Sequence, residues 1–208
     1  RDTSVTGVQT CALPIFTTDK VYDIKKNKIF KETDALGGLD PYSSSKVCME
    51  YLFNSYNESF FQKKKQMIAT VRAGNVIGGG DYSMDRLIPD IYRSAHENKS
   101  ILLRNPKSIR PWQHVLEPLS GYLKLAEHLF YSNELNGEAF NFGPSSDEEF
   151  SVLDLVKEMS KHWSQVKWGI DKNHGNVKHE STLLKLNCDK AITKLKWKPT
   201  MKFSETVK

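Results

Sequence analysis

Apolar positions at Val47, Tyr51, Leu52, Tyr56 and Phe60 recur with the period of a helix, which predicts one over 43–62. The apolar run 66–74 lies between a lysine triplet and a glycine and reads as a strand. The alternation then continues along the chain. A helix is predicted over 85–98 with Pro89 in its first turn, a strand over 101–103, a helix over 117–130 and a strand over 138–143 that closes on Gly143. A helix over 151–163 has Ser151 as its cap. Residues 182–187 alternate, a short helix is predicted over 189–195, and the final FSETVK opens another. Strands alternating with helices predict an α/β fold with a largely parallel sheet. No internal repeat or low-complexity tract is visible.

Residues 1–15, RDTSVTGVQTCALPI, carry no such period. The apolar part, CALPI, is too short for a signal peptide. The stretch resembles translated sequencing-adapter read-through, so it is set aside together with Cys11, and the native chain is expected to begin near Phe16, in mid-fold.

Composition narrows the class. Of 208 residues, 38% are hydrophobic and 26% charged, ordinary for a globular protein. No stretch approaches the ~20 apolar residues that span a bilayer, and a membrane protein is not expected. Three scattered cysteines (Cys11, Cys48, Cys188) do not make a disulfide scaffold and fit a reducing, cytoplasmic setting. The net charge of +5 raises the question of nucleic acid. The lysines are spread along the chain, only Lys63–Lys65 form a dense run, and no zinc knuckle or helix-turn-helix signature is present. A solvated lysine-rich surface is the better reading, with no nucleic-acid partner. The arginines are distributed differently: apart from Arg1, all five (Arg72, Arg86, Arg93, Arg104, Arg110) fall in one window. The guanidinium fork suits bidentate phosphate or carboxylate recognition. The window reads equally as an anion site or as ordinary ion pairing.

Candidate chemistry begins with Thr17-Thr18-Asp19-Lys20 and Tyr42-Ser43-Ser44-Ser45-Lys46. A tyrosine and a lysine four apart at a helix start share a face. The ammonium favours phenolate and makes the tyrosine a base able to take a proton from a sugar hydroxyl. Taken alone, such a pair reads as a partly exposed tyrosine beside a solvated lysine, and Tyr22/Lys26 is a second instance.

Longer strings add context. In order, TTDKVY, DALGGLDPYSSSK, GNVIGGGD, DRLIPDI, RPWQHVLEPLSGYL and HESTLLKLNCDKA resemble the extended short-chain dehydrogenase/reductase family of nucleotide-sugar enzymes, and within it the branch that dehydrates CDP-glucose. The resemblance covers roughly 16–208. It implies the C-terminal portion of a Rossmann-like fold plus a smaller substrate-binding domain. Residues 16–76 would be the remnant of the NAD-binding domain, and 77–208 mainly the nucleotide-sugar region, with segments returning to the sheet. In that family Thr18 would bond the sugar 4-hydroxyl, Tyr42 would deprotonate it, and Lys46 would assist Tyr42 and hold the nicotinamide ribose of NAD. Asp19 would be the general acid on the departing C6 hydroxyl. Lys20 stands where related dTDP- and GDP-sugar dehydratases commonly carry Glu; it either removes the C5 proton or orients Asp19 by charge. Substrate contacts would come from Asn75, Asn141 and Arg110 near the diphosphate, from Arg86 and Leu87 beside the nucleotide, and further from Arg104 and His179. The resemblance implies no metal, and a homodimer through the Tyr42 helix.

The chain departs from the family pattern in one large respect. It has no G-x-G-x-x-G after a first strand and no acidic residue ~20 positions beyond it. It is therefore expected to bind NAD poorly, to be inactive alone and to expose sheet edges. The alternatives are a dehydratase or epimerase for another nucleotide sugar, and a non-catalytic nucleotide-sugar-binding module.

Overall fold

The computed structural model describes residues 12–24, 28–61, 66–171 and 184–208. In chain order the elements are β1 (Ala12–Phe16), a 3₁₀ turn (Asp19–Val21), β2 (Ile29–Phe30), α1 (Pro41–Tyr56) running into a π-helical turn (Asn57–Phe61), β3 (Met67–Ala73), β4 (Val76–Ile77), α2 (Leu87–His96), β5 (Ser100–Leu103), β6 (Ile109–Arg110), β7 (Gln113–His114), α3 (Leu116–Tyr131), β8 (Ala139–Phe142), β9 (Phe150–Ser151), α4 (Val152–His162), β10 (Lys167–Ile170), β11 (Lys185–Leu186), α5 (Asp189–Leu195) and α6 (Phe203–Val207).

The main sheet is parallel, in the order β1-β3-β8. β3 is its middle strand, and its apolar, β-branched run buries Ile68–Arg72, as a strand covered on both faces must. β1 lies at one edge of this sheet and pairs from Ala12↔Met67 to Phe16↔Val71; the edge tolerates Pro14, which has no N–H to give. Residues 12–15 of the stretch set aside above are thus part of β1, and Cys11 lies outside the described residues. α3 crosses the sheet at Gly121, where a Cβ would stand 2.3 Å from Phe142 Cε1. Phe140, Phe142, Val71, Leu125, Leu129 and Trp197 close this core. A second core forms where α2 and α4 meet the parallel pair β5-β10, around Ile91, Leu103, Val156 and Val166. The α/β reading with parallel strands holds.

α1 differs from the pattern that predicts it. Asp40 caps it through Tyr42 N and Ser43 N, with Pro41 in the first position. It turns Ser43, Val47, Glu50 and Phe53 inward. Of the apolar positions that signal the helix, only Val47 is buried; Tyr51, Leu52, Tyr56 and Phe60 face outward. The physical reason is a buried partner for Glu50, described below.

α4 begins at Ser151 as expected, in a capping box. Ser151 Oγ accepts from Asp154 N at 3.2 Å, and Asp154 accepts from Ser151 N at 2.9 Å. Ser151→Ala is expected to destabilise the chain by about 1 kcal/mol, read as a lower urea midpoint at unchanged slope; an unmoved midpoint would contradict it.

Candidate active site

The carboxyl ends of parallel strands are where α/β folds place ligands. Here β1 delivers Thr17–Lys20, β3 delivers Gly74–Asn75, and β8 ends at Phe142, just before Gly143. Thr18 is extended and caps the 3₁₀ turn, its Oγ1 accepting from Lys20 N at 3.4 Å and donating to Asp19 Oδ1 at 3.1 Å. Asp19 is 2% exposed. Among the described residues its Oδ2 has no hydrogen-bond partner. That oxygen lies 3.1 Å from where a Cβ on Gly74 would be, and the same Cβ would meet Pro111 Cγ at 2.3 Å. Position 74 therefore admits no side chain, and Pro111, Gly74 and Asp19 pack closely together. Burial pushes the Asp19 carboxyl up to about 6, against the hydroxyl of Thr18 and the charges of Lys20 and Arg110, which pull the other way. A carboxylic acid that keeps its proton this far up is suited to giving it away.

The turn faces the head of α1. Lys20 Nζ lies 5.8 Å from the centre of the Tyr42 ring, within cation–π range. Tyr42 is 51% exposed in the first turn, and Lys46 follows one helical turn later. The structure thus brings together Thr18, Asp19, Lys20 and Tyr42, with Lys46 on the Tyr42 side of α1 and Arg110 close enough for its charge to act on Asp19.

The remaining expected contacts lie elsewhere. Asn75 is half-buried after β3, its carbonyl accepting from Gln113 N at 3.0 Å. Arg86 caps α2 and pairs with Asp81 at 3.2 Å on the surface, while Leu87 packs into the second core. Arg104 is exposed after β5, and His179 lies outside the described residues. A cleft of about 390 Å³ opens beside α2, walled by Gly78–Gly80, Asp81, Tyr82 and Tyr92; neither Asp19 nor Tyr42 borders it. Asn141 is fully buried: its amide donates to Phe30 O and Asn187 O, and its Oδ1 accepts from Tyr22 OH at 2.6 Å.

The arginine window does not form one anion site. Arg72 is buried, with Nε and Nη2 on the two oxygens of Glu50 at 2.8 and 2.9 Å and Nη1 on Tyr22 OH at 3.0 Å. Arg93 is held by Asp90 and by the carbonyls of Tyr82 and Ser83. Ion pairing is therefore the right reading for Arg72 and Arg93. Tyr22, the second Tyr-Lys candidate, belongs to the buried network; Lys26 lies outside the described residues.

Sequence reasoning named Thr17 in its string without giving it a role, and passed over Glu50, Gly74 and Pro111 around this site. Two signals were available: a lone arginine inside the apolar strand 66–74, and an acid four residues after Lys46 on the predicted helix. A charge in a buried strand requires a partner.

The chain belongs to the GDP-mannose 4,6 dehydratase family, whose family model matches residues 4–208. It is 44% identical over 199 residues, 92% of this chain, to CDP-glucose 4,6-dehydratase of Salmonella typhimurium, of which it covers 55%. It is 25% identical to mouse dTDP-D-glucose 4,6-dehydratase, with 92% of this chain and 52% of the mouse protein aligned. The chain thus spans about half the length of these curated relatives. Its fold is similar to that of UDP-glucuronic acid 4-epimerase from Bacillus cereus (TM-score 0.79, 21% identity, 94% of this chain and 59% of the other). It is also similar to dTDP-glucose 4,6-dehydratase from Bacillus anthracis in complex with NAD (TM-score 0.73, 22% identity, the same coverages). The resemblance carried by the ordered strings is borne out.

Proposed function

We propose that the gene product carrying this chain is an NAD-dependent 4,6-dehydratase that converts CDP-glucose to its 4-keto-6-deoxy form with loss of water. The observation that carries the reading is the buried Asp19 carboxyl, raised to about 6 and with one oxygen unpartnered, beside Lys20 and Tyr42. The 44% identity to the Salmonella enzyme supports the choice of CDP-glucose.

The residues fit one end of the cofactor. Tyr42, half-exposed at the head of α1, and Lys46, one turn on, suit the nicotinamide ribose. Among the described residues β1 leads into the turn Asp19–Val21 and not into a glycine-rich loop, and none of them cradles the pyrophosphate end. NAD, when bound, supplies a transient acceptor for the C4 hydride, which returns at C6. In this scheme Tyr42 takes the 4-hydroxyl proton, with Thr18 beside that oxygen. The resulting ketone acidifies C5–H, whose proton passes to solvent, Asp19 protonates the C6 hydroxyl so that it departs as water, and C5 regains a proton from solvent as hydride returns at C6. Lys20 acts on Asp19 through its charge, which pulls the carboxyl pKa down. Arg110 serves the diphosphate, while Asn75, Arg86, Leu87, Arg104 and His179 remain proposed nucleotide contacts. Asn141 reaches substrate only through the network it anchors. The protein is placed in the cytoplasm, in keeping with the free thiols of Cys48 and Cys188. It is expected to pair through the outward face of α1, where Tyr51, Leu52 and Tyr56 are exposed.

The test is incubation of the whole gene product with CDP-glucose and NAD in deuterium oxide. The expected product has lost one water and gained one carbon-bound deuteron, at C5. An epimerised sugar of unchanged composition, or recovered substrate, overturns the reading.

A further inference from the structure

We infer that Thr17 and Glu50 are positioning residues, whose hydrogen bond fixes the turn bearing Asp19 and Lys20 against the part of α1 that bears Tyr42 and Lys46. The inference rests on the acid–base reading of that turn.

The turn is clasped on both sides. Before it, Thr17 Oγ1 donates to Glu50 Oε1 at 2.6 Å, the other acceptor in reach being Val71 O at 3.3 Å. After it, Tyr22 OH accepts from Arg72 Nη1 at 3.0 Å. Both clasps end on one ion pair, because Arg72 also grips both oxygens of Glu50. Glu50 lies one turn beyond Lys46 and two beyond Tyr42 on α1. A displacement of Glu50 therefore moves the turn and the helix face relative to one another. The carboxylate is 1% exposed and accepts from Thr17, Thr70 and Arg72, so it has little freedom to wander. Acid–base geometry is sensitive at this scale, since ~1 Å of misplacement can lower a rate by about 10²-fold.

Thr70 provides an internal comparison. Its hydroxyl donates to the other oxygen of the same carboxylate at 3.1 Å, but from the middle strand β3 and not from the residue that opens the turn. In the whole gene product, Thr17→Val is expected to lower kcat about ten-fold with KM unchanged. Thr17→Ser, which keeps the hydroxyl, should stay within about two-fold of wild type. Thr70→Val should also stay within about two-fold, although it removes a bond to the same carboxylate. Thr17→Ala is the second variant should the valine fail to fold, with the same expected split. Equal losses in the Thr17 and Thr70 variants, or no loss in either, overturn the inference.

If the wild-type protein removes no water from CDP-glucose, the acid–base reading falls and the positioning inference is decided by amide hydrogen exchange. Exchange at Lys20, Val21 and Tyr22 that is faster in Thr17→Val than in both wild type and Thr70→Val supports it. Indistinguishable exchange overturns it.

Discussion

Asp19→Asn is expected to lower the rate of water loss by about 10²–10⁴-fold while leaving the earlier chemistry at C4 and C5 running. Asparagine has nearly the shape of aspartate and can still accept from Thr18, but it has no acidic proton to give a departing hydroxyl. Exchange of C5–H needs only the 4-ketone and a base. The discriminating experiment follows the C5 hydrogen and a labelled C6 oxygen separately in deuterium oxide. The variant should return CDP-glucose carrying deuterium at C5 and its C6 label intact. Loss of C5 exchange and of dehydration in equal measure would remove Asp19 from the role of C6 acid.

The same carboxyl sets a pH dependence of stability with a definite sign. Its folded pKa is about 6 and its ordinary value 3.8, so between those values the folded chain holds a proton that the unfolded chain has lost. Stability from this group therefore falls as pH rises through that window. The gap corresponds to about 3 kcal/mol. Asp19→Asn should thus gain on wild type as pH rises from 4 to 7 in urea titrations, by up to about that amount. A gap between the two proteins that does not vary with pH would mean the carboxyl is not buried as described. Activity follows the same proton: at pH 7 about a tenth of the acid form remains, so the water-loss step should slow above pH 6.

The fold was legible where local chemistry decides it. α5 falls on the predicted 189–195, Ser151 caps α4, and the apolar run 66–74 is the middle strand, because periodicity, capping and β-branching act within a few residues. The inward face of α1 was not legible. Tyr51, Leu52 and Tyr56 carry the helical period yet face outward, while Glu50 goes inside. What decides that rotation is Arg72, 22 residues away in sequence and on another element. Asn141, which the resemblance places near the diphosphate, here satisfies Tyr22 and two backbone carbonyls, a role set by groups distant in sequence. The candidate site divides along this line. Asp19, Lys20, Tyr42 and Lys46 were legible from two short strings. The packing of Gly74 against Pro111 and Asp19 was not, because it joins segments that meet only in the folded chain.

Arg72→Met is expected to destabilise the chain by about 3–5 kcal/mol, the range for breaking a buried pair from one side. The strand position and most of the side-chain volume are kept, so the loss is electrostatic. Arg72 places Nε and Nη2 on Glu50 and Nη1 on Tyr22 OH and Glu32 O. Without it Glu50 is an uncompensated charge in the core. Burial alone pushes the Glu50 carboxyl up, but the hydrogen bonds and charge of Arg72, with the hydroxyls of Thr17 and Thr70, outweigh it and hold the group below its ordinary 4.5. A group held low stabilises the fold above its unfolded pKa, and that contribution is lost as pH falls through 4.5 and below. In the variant the sign reverses: the bare carboxylate is costly at neutral pH and is relieved by protonation. The difference between wild type and Arg72→Met should therefore be largest near pH 7 and shrink as pH falls, beginning above 4.5 where the variant's carboxyl takes its proton and continuing below it, in urea unfolding followed at each pH. The double variant Glu50→Leu/Arg72→Met removes both charges and should recover most of the single variant's loss. A double variant no more stable than Arg72→Met would show that the arginine acts through Tyr22 and the Glu32 carbonyl, leaving Glu50 to be held by the two threonines. Recovery of stability without recovery of kcat would separate two roles of the pair. Its charges would then be dispensable for folding, and the Thr17–Glu50 clasp would be what the acid–base turn requires.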